Sequence, residues 1–330
     1  MRTIINKIVA IAAFWATSIT LAAQEMPFFT NKQLQYSFFN PGYIPELQYS
    51  TIQLGGRLQW VNIEGMPKDL FFSGKYFFLG AHSQVGLNVI CDEIGYQRTI
   101  NPKVDYAFCV PIGDDSYLNL GVTAGMMSKG YDSDEIINDE RVGSQNIASI
   151  VEKLEKGNAA DIDAGFEILL QNLEFGASCM HLLKGTDYVT MNRTFFGFFN
   201  YSFQSSEWWR LSPAYSFYFF DGDDKINANN VTKHQISLLF HYITEYDNSP
   251  ADLFYVGATY RIPNEVGFST GLTWDFFSIY YSYDYNFSNL RHGSYGTHEL
   301  GIEFKIREKG KGCYANYGRS RKKYTRYYRN

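Results

Sequence analysis

Ser278-Ile279-Tyr280-Tyr281-Ser282-Tyr283-Asp284-Tyr285-Asn286-Phe287 is the stretch whose reading decides the fold. Ile279, Tyr281, Tyr283, Tyr285 and Phe287 fall on one face. Ser278, Tyr280, Ser282, Asp284 and Asn286 fall on the other. A period of two marks a strand with two unlike faces. The second face here carries small polar groups and Tyr, not the charge expected of a water-washed surface. The same alternation recurs in Tyr117–Met126, where Leu118, Leu120, Val122, Ala124 and Met126 share a face, and in Lys233–Tyr242, where His234, Ile236, Leu238, Phe240 and Tyr242 do.

Working outward, fourteen strands can be read: 50–60, 69–79, 83–93, 99–111, 117–129, 161–170, 173–181, 194–203, 208–220, 233–242, 253–261, 265–274, 277–287 and 297–306. Most are about ten residues, the length a tilted strand needs to cross a bilayer. The links alternate in length. Those after strands 2, 4, 6, 8 and 12 are short, and Glu245–Ala251 after strand 10 is somewhat longer. Gly130–Ala160, Leu182–Arg193, Asp221–Thr232 and Ser288–Gly296 are long; Ile262–Asn264 is short where a long link belongs. Short turns on one side and long loops on the other describe an outer-membrane barrel. The expectation is an all-β, transmembrane antiparallel barrel of about fourteen strands. A soluble sandwich would show charge on its second face, and a propeller would show a repeat of about forty residues.

The 330 residues are 18% aromatic and 19% charged. That excludes a disordered chain, a coiled coil and a disulfide knot. Residues 1–23 read as a signal peptide: Arg2 and Lys7, the apolar run Ile8–Leu21, then Ala22-Ala23 before Gln24. Residues 24–48 read as an N-terminal periplasmic segment, 49–306 as the barrel and 307–330 as a basic, Tyr-rich periplasmic tail. The even strand count puts both termini in the periplasm. The net charge is −5; the tail has nine Lys/Arg against Glu308 alone, and the signal adds two cations, so the segment between carries −15. The tail cations Arg319, Arg321, Lys322, Lys323, Arg326 and Arg329 suit an acidic periplasmic protein, anionic lipid headgroups or cell wall. A solvated end without a partner fits as well. The compartment excludes nucleic acid.

Five sequence words resemble the PorP/SprF family of Bacteroidetes outer-membrane proteins, tied to type IX secretion and gliding. They are Asn40-Pro41-Gly42-Tyr43, Arg57-Leu58-Gln59-Trp60, Gly65-Met66-Pro67, Tyr281-Ser282-Tyr283-Asp284 and Gly296-Thr297-His298-Glu299. The family pattern reads approximately N-P-A-Y-x-G, R-x-Q-W, G-A-P, G-Y-S-Y-D and G-S-H-E. Gly42, Pro45, Met66, Tyr280 and Thr297 depart from it. The resemblance implies a component of, or accessory to, the type IX machinery that meets periplasmic and outer-membrane subunits. Those include a peptidoglycan-binding protein, and a secreted adhesin is a further implied partner.

Alternation aims Arg57, Gln59, Asp284 and Glu299 into the lumen, with Arg57, Asp284 and Glu299 at one height near the outer rim. If the barrel closes, strands 13, 14 and 1 are neighbours, and one Arg between two carboxylates would staple the seam. His298 faces lipid. His82, His181, His234, His241 and His292 are scattered, and no nucleophile–base pair or metal-ligand spacing is visible, so no catalytic, metal or cofactor site is expected. Asp132-x-Asp134 lacks the remaining residues of a calcium loop. Ile147–Lys156 suits a short helix. Cys91 and Cys109 should sit on adjacent strands but opposite faces, so no disulfide is expected within the barrel. Phe71-Phe72, Phe77-Phe78, Trp208-Trp209, Phe219-Phe220, Trp274 and Phe276-Phe277 suit two interfacial girdles. Lumen-facing Tyr117 and Tyr280 point to a filled interior. The alternative is a passive or cation-preferring porin.

Overall fold

A computed structural model describes residues 27–45, 49–113, 116–132, 136, 156–186, 189, 191–204, 206, 208–221, 230–246, 249–274 and 276–307. Fourteen strands form: β1 Tyr49–Leu58, β2 Lys68–Phe78, β3 Ser83–Ile94, β4 Gln97–Gly113, β5 Ser116–Tyr131, β6 Gly157–Leu170, β7 Leu173–Met180, β8 Thr194–Tyr201, β9 Trp209–Phe220, β10 Val231–Tyr246, β11 Ser249–Ile262, β12 Glu265–Trp274, β13 Phe277–Asn286 and β14 Thr297–Arg307. Each pairs antiparallel with its neighbours in sequence. β1 pairs with β14, from Tyr49↔Arg307 to Leu58↔His298, which closes the barrel. Closure leaves no edge strand with unpaired backbone groups, the condition for strands to cross lipid.

The two faces follow the alternation. Leu70, Val104, Val122 and Phe268 are more than half exposed on the outside. Gln53, Ser73, Asp105, Asn119 and Glu303 are buried on the inside. Hydrocarbon accepts the first set, while the second set has to find partners within the bore. Links 79–82, 171–172 and 202–208 gather at one end, the turn end. Links 59–67, 181–193 and 287–296 gather at the other, the loop end. β10 and β11 run further than their alternation suggested, so only residues 247 and 248 separate them. Of the aromatic pairs, Phe72 and Phe78 point outward, but Phe71 and Phe77 point into the bore. Trp208, Trp274 and Phe276 are exposed beside the turn-end links.

Residues 27–45 lie inside the barrel. The expectation of a periplasmic segment there is corrected, and the reason is apolar content. Phe28, Phe29, Leu34, Tyr36, Phe38, Phe39 and Tyr43 need burial, and they obtain it against inward-facing Phe71, Met180, Phe196, Phe198, Tyr218 and Tyr280. Tyr36 stacks on Phe198 at 3.8 Å between ring centroids. Helix α1, Lys32–Phe39, forms the middle of the plug. The Asn31 side chain caps it, accepting from the backbone N–H of Gln33 and Leu34. At the loop end Phe28 packs against Tyr218 and Phe220, the latter the last residue of β9. At the turn end Ile44 packs with Phe77 and Tyr117. The segment therefore runs the length of the bore before β1 begins, and Pro27 stands at the opposite end from Tyr49.

Candidate functional site

Three strands meet at the seam, and each contributes a charge. β1 supplies Arg57, β13 Asp284 and β14 Glu299; Arg57 is the direct cross-strand partner of Glu299. Arg57 Nη2 lies 3.6 Å from Asp284 Oδ2, and Nη1 lies 3.4 Å from Glu299 Oε2. All three side chains are buried. A second cation, Arg261 of β11, sits 3.7 Å from Asp284 and pairs closely with Glu265 of β12.

These charges hold the plug. Arg57 also donates to the Phe28 carbonyl. Glu299 accepts the backbone N–H of Thr30 at 3.0 Å and that of Asn31 at 3.1 Å, one on each oxygen. The Thr30 hydroxyl donates to Asp284 at 2.7 Å and accepts from Arg261 at 3.2 Å. Glu299 thus places negative charge at the start of α1, where helix N–H groups lack internal acceptors. Lys233 covers the Phe28 ring, its Nζ 3.8 Å from the centroid. The arrangement is a clasp. Its carboxylates Asp284 and Glu299 meet the two guanidiniums and the plug.

Gln59 and Trp60 fold into the loop above the clasp. The Gln59 N–H donates to the Pro67 carbonyl at 2.9 Å, and the two loops are joined by the Val61 N–H donating to the Gly296 carbonyl at 2.9 Å and the Tyr295 N–H donating to the Val61 carbonyl at 2.8 Å. Trp60 has a positive φ, and its backbone N–H donates to the Thr297 hydroxyl at 3.3 Å. Tyr281 and His298 bond on the lipid side at 2.7 Å, with the Tyr283 ring alongside.

Asn40, Pro41 and Tyr43 lie elsewhere, in the turn-end half of the plug. Asn40 Oδ1 accepts from Gly42 N at 3.0 Å and Asn40 Nδ2 donates to the Phe166 carbonyl at 2.9 Å, an Asx turn tied to the wall. The wall there is glycine. A Cβ at Gly121 would come within 2.2 Å of the Pro41 backbone, one at Gly165 within 2.2 Å of Asn40 Oδ1, and one at Gly176 within 2.8 Å of Asn40 Nδ2. The turn fits because those side chains are missing. Ser178 donates to the Phe39 carbonyl beside it. Glu167 accepts from Ile44 N at 3.1 Å and Asn119 at 2.6 Å.

Four of the five sequence words lie in the plug or in the seam that holds it, and Pro67 of the fifth accepts from Gln59 in the loop above. A family model described as type IX secretion system membrane protein PorP/SprF matches residues 21–304. The chain belongs to the PorP/SprF family. None of the curated proteins matches it. Similar solved structures include the CymD monoaromatic hydrocarbon channel, at 11% identity over 90% of this chain and 97% of that chain, TM-score 0.49. The toluene transporter TbuX of Ralstonia pickettii matches at 9% identity over 83% of this chain and 93% of that one, TM-score 0.45. TodX of Pseudomonas putida, also a toluene transporter, matches at 10% over 82% and 92%, TM-score 0.44.

This PorP/SprF barrel has a second buried charge cluster. Asp161, Asp163 and His181 bring potential ligand atoms within 4.8 Å of one another. Lys103 Nζ lies 2.6 Å from an oxygen of each carboxylate, so an ammonium takes the position a metal would need. His181 Nδ1 sits 3.0 Å from Asp161, and the His181 backbone N–H donates to Asp163 at 2.9 Å. Scattered spacing in the sequence hid this group; strand register assembles it. Cys91, Cys109 and Cys179 form no disulfide with one another, and Cys109 points inward. The tail cations Arg319, Arg321, Lys322, Lys323, Arg326 and Arg329, the Ile147–Lys156 helix expectation and residues 1–23 lie outside the described residues, Lys156 apart.

Thr30, Arg261 and Glu265 are the clasp residues that sequence reading missed. Arg261 and Glu265 share the inward parity of their strands, which is a readable signal. Thr30 has none until the segment is known to enter the bore.

Proposed function

We propose that this protein anchors type IX secretion machinery in the outer membrane as a closed, non-catalytic barrel. Its long loops face outward, its turn end and basic tail face the periplasm, and it docks periplasmic subunits, a secreted surface protein, or both. One observation supports docking over transport: the bore is filled by the chain's own residues 27–45, held at both ends. A passive or cation-preferring porin needs a water-filled lumen, and here the inward acids Asp161, Asp163, Asp284 and Glu299 are engaged by Arg57, Arg261, Lys103 and the plug backbone.

The test is a mild-detergent pull-down of a tagged copy from its native outer membrane, read by mass spectrometry. Recovery of type IX subunits, a peptidoglycan-binding protein or one large surface protein supports docking and names the partner. Recovery of the barrel alone, with steady ion conductance in a planar bilayer, supports the porin instead.

A further inference from the structure

We propose that the mature amino terminus emerges on the loop face of the barrel, opposite the end where β1 begins and β14 finishes. The mature chain would then pass once through its own barrel, and its two termini would lie on opposite sides of the membrane.

The inference rests on where the plug is tied and on reach. Pro27 and Phe28 are buried at the loop end, where the Phe28 carbonyl accepts from Arg57 and the Phe28 ring packs on Phe220 at the end of β9. Thr30 and Asn31 are fixed there by Asp284 and Glu299. From that point α1 and Asn40–Ile44 lead to the turn end, where Ile44 meets Glu167 and Phe77. The expected cut after Ala23 leaves Gln24, Glu25 and Met26 ahead of Pro27. Three fully extended residues span about 10 Å. The apolar band of such a barrel is about 25 Å tall, and the bore below Pro27 is already occupied. The amino group therefore cannot return to the turn end, whichever way those residues turn. This goes beyond the docking role and holds whichever face of the barrel is outside.

Three single-cysteine variants of the full chain test it, with Cys91, Cys109, Cys179 and Cys313 replaced. Glu25→Cys reports the amino terminus, Gly293→Cys the loop end and Gly80→Cys the turn end. Gly293 and Gly80 are exposed, and a Cβ at either meets nothing closer than 4.0 Å. Intact cells are treated with a polyethylene-glycol maleimide too large for porins, then again after the outer membrane is permeabilised. A heat-modifiable gel shift first confirms that each variant is folded. The expected result is that Glu25→Cys labels in the same condition as Gly293→Cys and opposite to Gly80→Cys. Labelling of Glu25→Cys together with Gly80→Cys, or in neither condition, overturns the inference. If Gly293→Cys labels only after permeabilisation and Gly80→Cys labels in intact cells, the proposed orientation fails. The threading is still judged by which reporter Glu25→Cys follows.

Discussion

The two ends of the plug are held by opposite means. At the loop end Thr30 and Asn31 meet charge: two carboxylates and two guanidiniums buried together, with the plug's N–H groups donating to Glu299, the Phe28 carbonyl accepting from Arg57 and the Thr30 hydroxyl accepting from Arg261. At the turn end Asn40 and Pro41 meet absence: three glycines whose missing side chains leave a shelf for the turn. The first grip is specific because an unpaired buried charge is costly. The second is specific because a single added carbon has nowhere to go. Charge chooses the partner at one end, and shape chooses it at the other.

Removing the whole plug should have the largest effect. A chain lacking residues 27–45 should conduct ions in a planar bilayer while the intact barrel stays closed; a deletion barrel that folds yet remains silent would show that other residues close the bore. Next is Glu299→Ala, which leaves Arg57 with Asp284 as its one carboxylate in the clasp and frees two plug N–H groups. Loss of one partner from a buried pair costs about 3–5 kcal/mol, read as a lower guanidinium midpoint of the detergent-folded barrel, with Glu299→Gln closer to wild type. Gly121→Val attacks the shelf instead. Overpacking costs about 1–3 kcal/mol, occasionally more, and protease cleavage near Asn40 should rise while the clasp end stays protected. Asn40→Ala is the mildest, about 1–2 kcal/mol for the Asx turn and the bond to Phe166, measured in the same unfolding assay. If Glu299→Ala and Gly121→Val lower stability additively, the two grips are independent; a coupling above about 0.5 kcal/mol in a double-mutant cycle would make the plug one cooperative body.

The wall was legible in the sequence because a half-lipid, half-lumen strand writes a period of two into its residues. Arg57, Asp284 and Glu299 could be grouped for the same reason: parity fixes the face, strand direction fixes the height, and closure supplies the neighbour. Strand ends were less legible. β4 and β10 extend beyond the stretch where alternation is sharp, into residues such as Gln97-Arg98 and Thr244–Tyr246. The plug escaped because its meaning depends on a cavity that exists only after folding. Its signal was present all the same. Phe28-Phe29, Leu34, Tyr36 and Phe38-Phe39 are too many apolar side chains for a segment left in water. The Lys103–Asp161–Asp163–His181 cluster needed the exact register of β4, β6 and β7, which no single-strand pattern carries.

The clasp spans residues made at the two extremes of synthesis. Thr30 and Arg57 leave the ribosome early, whereas Asp284 and Glu299 leave it late. Arg57 and Glu299 become neighbours only when β1 pairs with β14. Until that moment there is no complete seat for Thr30; afterwards the bore is both walled and filled. Sealing the wall and seating its contents thus become a single event. In that event the beginning of the polypeptide is checked against its end, and a chain truncated before β13 would have neither carboxylate with which to pass.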